Sequence, residues 1–432
     1  MKVFKFGGAS LESIERIHKV GAIVQSFPDE KILIVISAMG KTTNELEKVA
    51  QNFFMRKREI AAQLLFNLEQ AHIDTAAALL GNREHAVFQQ LQQFFTEAEW
   101  TLGEKPLRPF DYYYDQLVSL GELLSTAIVS AWFNQAGIAN TWIDVRDVFR
   151  TDDNFRDANI DWAVTQRNIT EKVLPLFNST NVVIAQGFIG STDQNESVTL
   201  GREGSDYSAA VFANMLDAES QTIWKDVEGL KNADPKLFPN TINIPEISYS
   251  EVIEMAYYGA QVIHPKTIKP LQNKQIPLYV KSFLNKDLPG TVIREEADHA
   301  QLPPIIVLKQ NQVLITVTSR DYAFITEDKI SDIYEIFHGL KIKINLMQNA
   351  AISFSCCIDN NPEKIEQLIK TLHQDFKLAY NEALQLLTVR YYENSLLEEL
   401  SNNKTILLEQ RSPITVQRIL KDPAPLASDV QL

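Results

Sequence analysis

Cysteine is almost missing from this chain of 432 residues: there are two, Cys356 and Cys357, and they are neighbours. Adjacent cysteines do not easily build a disulfide framework, so a reducing cytoplasm is the expected setting. Long apolar runs are lacking too. None approaches the roughly 20 residues that a membrane span needs, and no membrane partner is expected. The first residues, MKVFKFGG, lack the longer apolar core and small-residue cleavage site of a secretory signal. Positive charge is in deficit, with 41 Lys and Arg against 55 Asp and Glu, a net charge of −14. Such a surface repels nucleic acid and anionic lipid. An anionic small ligand must therefore find its cations concentrated locally, which directs attention to lysines and arginines in glycine-rich loops.

What the chain does have is bulk. At 49.0 kDa and 45% hydrophobic residues, it can bury a large core and form two or three domains. KVFKF and KILIVIS read as buried strands. SLESIERIHKVGAIVQ reads as an amphipathic helix with apolar positions at Leu11, Ile14, Ile17 and Val20. The pattern from Leu46 to about Trp100 is helical, and YDQLVSLGELLSTAIVSAWFNQAG reads as a further helix ending at Gly137. Strands NTWIDV, NVVIAQGFIG and SQTIWKDV then alternate with helices SDYSAAVFANML and YSEVIEMAYYGA. This alternation predicts an α/β domain, a mainly parallel sheet covered by helices, over residues 1–295 with a helical segment at 46–110. Residues 296–304 read as a linker. The order changes beyond it: strand, helix, two strands, helix, strand over 305–381, an α+β ferredoxin-like unit. An abbreviated copy over 382–432 breaks off before a second helix and fourth strand.

Several short stretches carry chemistry. KFGGAS places Lys5 before Gly7 and Gly8 at a strand-to-helix junction, where backbone can approach an anion and helix-start N–H groups face it; Ser10 capping a plain turn is the alternative. SAMGKTTN imitates the end of a P-loop, but Val35 stands where that motif needs glycine, so only a polar turn after a strand remains. TLGREGSDYSAA offers Arg202, suited to gripping a carboxylate, together with Ser205 and Asp206; Asp206 as a simple helix cap is an equal alternative. WKDVEGLKNADPK carries Lys225, Asp226, Lys231 and Lys236, by default a solvated loop. Glu122 sits in the apolar LVSLGELLSTAIV, either on a wet face or beside a buried cation. His264 has no metal-ligand spacing to another His or Cys, and no protein metal site is expected.

In this order KFGGAS, SAMGKTTN, SLGELLS, QGFIG, TLGREGSD, KDVEGLKNADPK, EMAYYGAQVIHPKT and VKSFLNKDLPGT resemble the successive signatures of aspartate kinases, in the amino-acid kinase superfamily. The resemblance covers residues 1 to about 295, and the tail resembles ACT domains. It implies the amino-acid kinase fold followed by ACT modules, and phosphorylation of the L-aspartate β-carboxylate by ATP with Mg2+. It further implies that Lys5 stabilises the transferring phosphoryl group, with Gly7, Gly8 and Ser10 nearby, and that Asp206 orients Lys5. Arg202 matches the group that binds a substrate carboxylate, and Glu122 the acid that accepts its ammonium. Ser37, Thr43 and Ser205 match supporting positions around aspartate. Lys225, Asp226, Lys231, Lys236, Gln261 and Val262 match nucleotide-side segments. A homodimer or homotetramer, and lysine or threonine as an effector of the ACT region, are also implied. Too few residues follow that region for a fused dehydrogenase, so a monofunctional enzyme is expected.

Some positions depart from the resemblance. Ala9 stands where Thr is commoner, Lys225 replaces a common Thr and Lys231 a common Tyr. Glu203 replaces the glycine of the usual GRGGSD and is expected to point outward. The alternatives are another amino-acid kinase, acting on glutamate, acetylglutamate or UMP, and an inactive amino-acid-binding regulator.

Overall fold

The computed structural model describes residues 1–260, 263–297, 302–321 and 323–423. Two compact units emerge: Met1–Leu230 with Asn243–Ile253 and Val262–His299, and Lys231–Ile242 with Glu254–Gln261 and Ala300–Leu432. The boundary expected near 295 is thus crossed by two earlier segments. Ala233 and Phe238, for example, pack with Ile306, Leu387, Val389 and Val416. Part of the expected linker, 298–301, lies outside the described residues.

The first unit opens with β1 (Lys2–Phe6), α1 (Ile14–Gln25), β2 (Ile32–Ile36), α2 (Thr42–Phe54), α3 (Arg58–Leu80), α4 (Val87–Gly103), α5 (Phe110–Val118) and α6 (Leu120–Gln135). It continues through β3 (Thr141–Trp142), α7 (Trp162–Asn168), β4 (Val182–Gln186), β5 (Ile189–Ser191), β6 (Ser197–Thr199), α8 (Gly204–Met215), β7 (Ser220–Lys225) and β8 (Glu246–Ser248). Helix α9 (Tyr249–Tyr258) is divided between the units; α10 (Pro265–Gln272), β9 (Leu278–Ser282) and β10 (Thr291–Arg294) complete the first.

Eight strands form one sheet in the order β3-β4-β2-β1-β7-β9-β10-β8. Pairings from β3 through β9 are parallel, as is β10 with β8; only β9–β10 is antiparallel. All five residues of β2 and of β4 are buried, which explains why they read as unbroken apolar runs: a central parallel strand is covered on both faces. The expected helix over 114–137 is two helices, because the chain turns at Ser119 between α5 and α6. The stretch Phe110–Gln135 is in fact long and apolar enough to cross a membrane, contrary to the expectation, but 89% of its apolar window is buried inside the protein. It is apolar because α6 is a core helix.

The second unit contains β11 (Ile305–Ser319), α11 (Glu327–Gly339), β12 (Ile344–Asn349), β13 (Ser353–Asp359), α12 (Pro362–Leu372), β14 (Phe376–Arg390), α13 (Asn394–Leu400), β15 (Thr405–Arg411) and β16 (Thr415–Lys421). These strands make one antiparallel sheet, β12-β13-β11-β14-β16-β15. Val313, Ile315, Val317 and Cys356 bury one face against Ile333 and Phe337 of α11 and Ile365 and Leu368 of α12. Cys357, one residue on, faces the opposite side among Leu314, Leu346 and Ile419, as strand alternation requires. Burial pushes both thiols up to about 12, leaving them protonated and inert.

The abbreviated module differs from the expectation. Strands β11 and β14 are both 15 residues long and run through both modules. Ile305–Lys309 of β11 pairs with Leu386–Arg390 of β14, so the fourth strand of the second module is present, supplied from before the first. Without it, β14 would expose an unpaired edge.

Candidate active site

The chain goes from β1 to β2 on one side of the sheet and returns with β7 on the other, so the order reverses between β1 and β7. Ligands of open α/β sheets sit at the carboxyl ends of strands beside such a reversal. A cleft of about 540 Å³ lies there. It is lined by Lys5 from β1, Ser37 after β2, Thr43 on α2, Glu122 on α6, Arg202 to Asp206 at the start of α8, and Lys225 ending β7. Eight residues anticipated from separate stretches therefore converge: Lys5, Ser37, Thr43, Glu122, Arg202, Ser205, Asp206 and Lys225.

Lys5 Nζ lies 2.6 Å from Asp206 Oδ1, with both side chains almost buried. Asp206 does not cap α8; the position before the helix is Glu203, whose side chain makes no cap bond. Burial pushes the Asp206 carboxyl up, but the charges of Lys5 and Lys225 and the hydrogen bond from Lys5 outweigh it and hold it below the usual range. It therefore stays ionised and fixes the ammonium of Lys5 at the cleft.

Glu122 is 2% exposed. Oε1 accepts a hydrogen bond from the Ala38 backbone N–H at 3.1 Å, while Oε2 is buried with no hydrogen-bond partner. Desolvation raises its carboxyl to about 8, against the opposing effects of the Ala38 bond and of Lys5. Neither reading of a wet face or a resident ion pair fits. An acid so placed, lining a cleft with an unfilled oxygen, suits an incoming cation.

Gly8 is explained without a ligand: a Cβ there would meet the carbonyls of Ala38 and Gly40 at 2.7 and 2.9 Å. Close approach brings the KFGGAS turn against the SAMG turn, with Gly40 N–H donating to the Gly8 carbonyl. Ser10 is buried, and its hydroxyl donates to the Gly7 carbonyl at 2.5 Å, while Ser13 caps α1. Asp226 is exposed outside the cleft lining; Lys231 and Lys236 belong to the second unit; Gln261 and Val262 lie outside the described residues.

Glu203 does not simply point outward. Its Oε2 accepts a hydrogen bond at 2.8 Å from the backbone N–H of His264, the residue that caps α10. Three non-glycine cleft residues adopt positive φ: Arg156 at 69°, Phe188 at 68° and Glu203 at 54°. Each such conformation costs a residue with a Cβ about 1–2 kcal/mol, and this kind of strain gathers at functional sites.

Sequence reading missed Tyr114, Arg156, Phe188 and Thr199 in the lining, and also Asp115, fully buried behind them. The Asp115 carboxylate accepts from the backbone N–H groups of Arg156 and Thr199 and from the Thr199 hydroxyl, at 2.7–2.9 Å. Burial raises it to about 7 despite these bonds. A second acid spaced seven residues before Glu122 in one apolar helical stretch was the available signal.

Fold and cleft together define a class: α/β proteins with a cleft lined by charged side chains at the switch point of a mainly parallel sheet. The amino acid kinase family matches residues 1–282. Aspartokinase 2, chloroplastic, of Arabidopsis thaliana is 32% identical over 86% of this chain and 69% of its own length. Lysine-sensitive aspartokinase 3 of Escherichia coli is 29% identical over 83% of this chain and 78% of its own. The crystal structure of E. coli aspartokinase III in complex with aspartate and ADP (R-state) superposes with a TM-score of 0.77, at 26% identity, covering 97% of this chain and 96% of that one. This chain belongs to the amino acid kinase family and, within it, to the aspartokinases.

Proposed function

We propose that the protein transfers the γ-phosphoryl group of MgATP to the β-carboxylate of L-aspartate, giving 4-phospho-L-aspartate, the first step toward lysine, threonine and methionine. The observation that carries this reading is the unfilled, buried Oε2 of Glu122 in the same cleft as the Lys5–Asp206 pair and Arg202. A ligand with one ammonium and two carboxylates satisfies that set. The E. coli relative crystallised with aspartate and ADP supports the assignment of both substrates.

A carboxylate is ionised at neutral pH and needs no general base to attack phosphorus. Catalysis is then alignment and charge neutralisation. Glu122 takes the substrate ammonium, Arg202 its α-carboxylate, and the hydroxyls of Ser37, Thr43 and Ser205 the remaining oxygens. Lys5, held by Asp206, faces the phosphoryl group as charge moves onto the leaving oxygen; the start of α8 adds N–H groups and its dipole. Lys225 serves the phosphate side. Gly7, in the turn beside Lys5, adds backbone to the phosphate side in this reading, and Mg2+ bound with the nucleotide would neutralise phosphate charge.

The ACT modules are read as a binding region for an amino-acid effector, lysine or threonine, in a homodimer or homotetramer; the name of the lysine-sensitive E. coli relative supports this. The two buried free thiols support a reducing, cytoplasmic setting. An assay of phosphoryl transfer from ATP to aspartate, glutamate and acetylglutamate, trapping the acyl phosphate with hydroxylamine, tests the reaction. Turnover of aspartate at least about tenfold above the others is expected; equal or greater turnover of glutamate overturns the reading. Titrating lysine and threonine into the same assay tests regulation: no change in activity or thermal midpoint with either would reduce the ACT modules to an assembly role.

A further inference from the structure

Among the described residues that line the cleft, Arg156 is a cation with no role assigned above. It was not anticipated from any motif, yet it lines the cleft with Arg202 and holds a left-handed backbone, φ 69°, that a glycine would adopt without strain. That backbone is fastened from below by the N–H bond to buried Asp115 at 2.9 Å, and Asp115 also holds Thr199. One residue pair on, Ala158 N–H donates to the Thr199 carbonyl. The turn 156–158 therefore runs beside 199–201 and abuts Gly201, where a Cβ would strike the Asp157 carboxylate at 2.5 Å and approach the Arg156 carbonyl at 3.3 Å. Arg202 is the next residue. The Arg156 guanidinium lies over the ring of Tyr114, itself part of the lining, at 4.3 Å. Its carboxylate partner, Asp111 at 3.1 Å, is 54% exposed, an ion pair that water screens and a bound anion can displace.

We infer that Arg156 is a specificity-determining residue, a second guanidinium that joins Arg202 on the α-carboxylate of the amino-acid substrate. This rests on the proposed aspartate kinase reading and adds to it a residue that the family motifs do not supply. Two guanidinium groups on one carboxylate favour a free α-carboxylate over its neutral amide, because removing the charge leaves both forks unmatched. The Arg156 conformation is strained, and it places a cation at the cleft of a chain short of positive charge; a substrate contact accounts for both.

The test uses the full-length protein and the hydroxylamine-trapping assay, with L-aspartate and L-aspartic acid α-amide as paired substrates. Arg156→Gly removes the guanidinium and fits the backbone; Arg156→Gln keeps part of the stem on Tyr114 and loses only the charge. Both variants are expected to raise KM for aspartate about tenfold, and to narrow the preference for aspartate over its α-amide by about the same factor. KM for ATP should stay within about twofold, and the thermal midpoint of Arg156→Gly should equal or exceed that of wild type. A KM and an amide preference within about twofold of wild type in both variants overturn the assignment. Wild-type protein that fails to phosphorylate aspartate overturns the underlying reading and the assignment together.

Discussion

Replacing Glu122 with Gln should abolish a pH dependence that the wild-type protein carries. Burial lifts the Glu122 carboxyl from 4.5 to about 8, because desolvation of its charge outweighs the Ala38 hydrogen bond and the charge of Lys5. At pH 7 only about a tenth of the free protein then carries an ionised Glu122, and a protonated carboxyl does not hold an ammonium ion. The quantity to measure is kcat/KM for aspartate, which reports groups of the free enzyme. It should climb close to tenfold per pH unit from about 6 and level near 8, while KM for ATP stays flat. Glu122→Gln should lack this limb and hold a low value throughout. Stability must move the opposite way. A raised acid binds its proton more tightly in the folded state, so its contribution is fully present below about 4.5 and is lost as pH rises through about 8. Aspartate, by pairing with the ionised form, should restore the thermal midpoint most at the alkaline end. A profile flat between pH 6 and 8, or an identical limb in Glu122→Gln, would refute the reasoning and remove Glu122 from the substrate.

Two further outcomes follow from the same cleft. Lys5→Ala should lower kcat by roughly two to four orders of magnitude, with a much smaller change in KM for aspartate; a variant keeping more than about a tenth of wild-type kcat would take Lys5 out of the chemistry. Glu203→Gly exchanges a backbone strain of about 1–2 kcal/mol for a bond to the His264 N–H worth about as much. Its unfolding free energy should therefore change by less than about 1 kcal/mol, and kcat/KM by less than about threefold. A large gain in aspartate affinity would mean that its carboxylate repels the substrate.

How far the sequence foretold the molecule depends on how local each feature is. Strands such as ILIVI and VVIAQ are buried on both sides and announce themselves by composition alone. Lys5, Arg202 and Asp206 stand in or beside short turns whose glycines mark them, and the parallel sheet then brings those turns to one edge. Asp115 left no comparable mark. Its partners, Arg156 and Thr199, lie 41 and 84 positions away, and no local pattern encodes such a clasp. The Glu203 bond to His264 spans 61 positions and escaped for the same reason. Likewise, nothing within 382–432 says that its missing strand comes from Ile305–Lys309; only the paired register reveals it.

That shared register sets an order of events during synthesis. Residues 305–309 leave the ribosome well before the Leu386–Arg390 segment with which they pair, and the whole first module is made in between. The second module cannot close until the rest of the first has been synthesised, so the earlier strand end must wait, unpaired and open to wrong partners. Once closed, neither module can melt alone without unzipping strands of the other, because β11 and β14 belong to both. The pair should exchange backbone hydrogens and resist proteolysis as one cooperative block. A cut made between residues 381 and 382, where the sequence divides the modules, would sever β14 (Phe376–Arg390) in the middle and yield two halves that no longer hold.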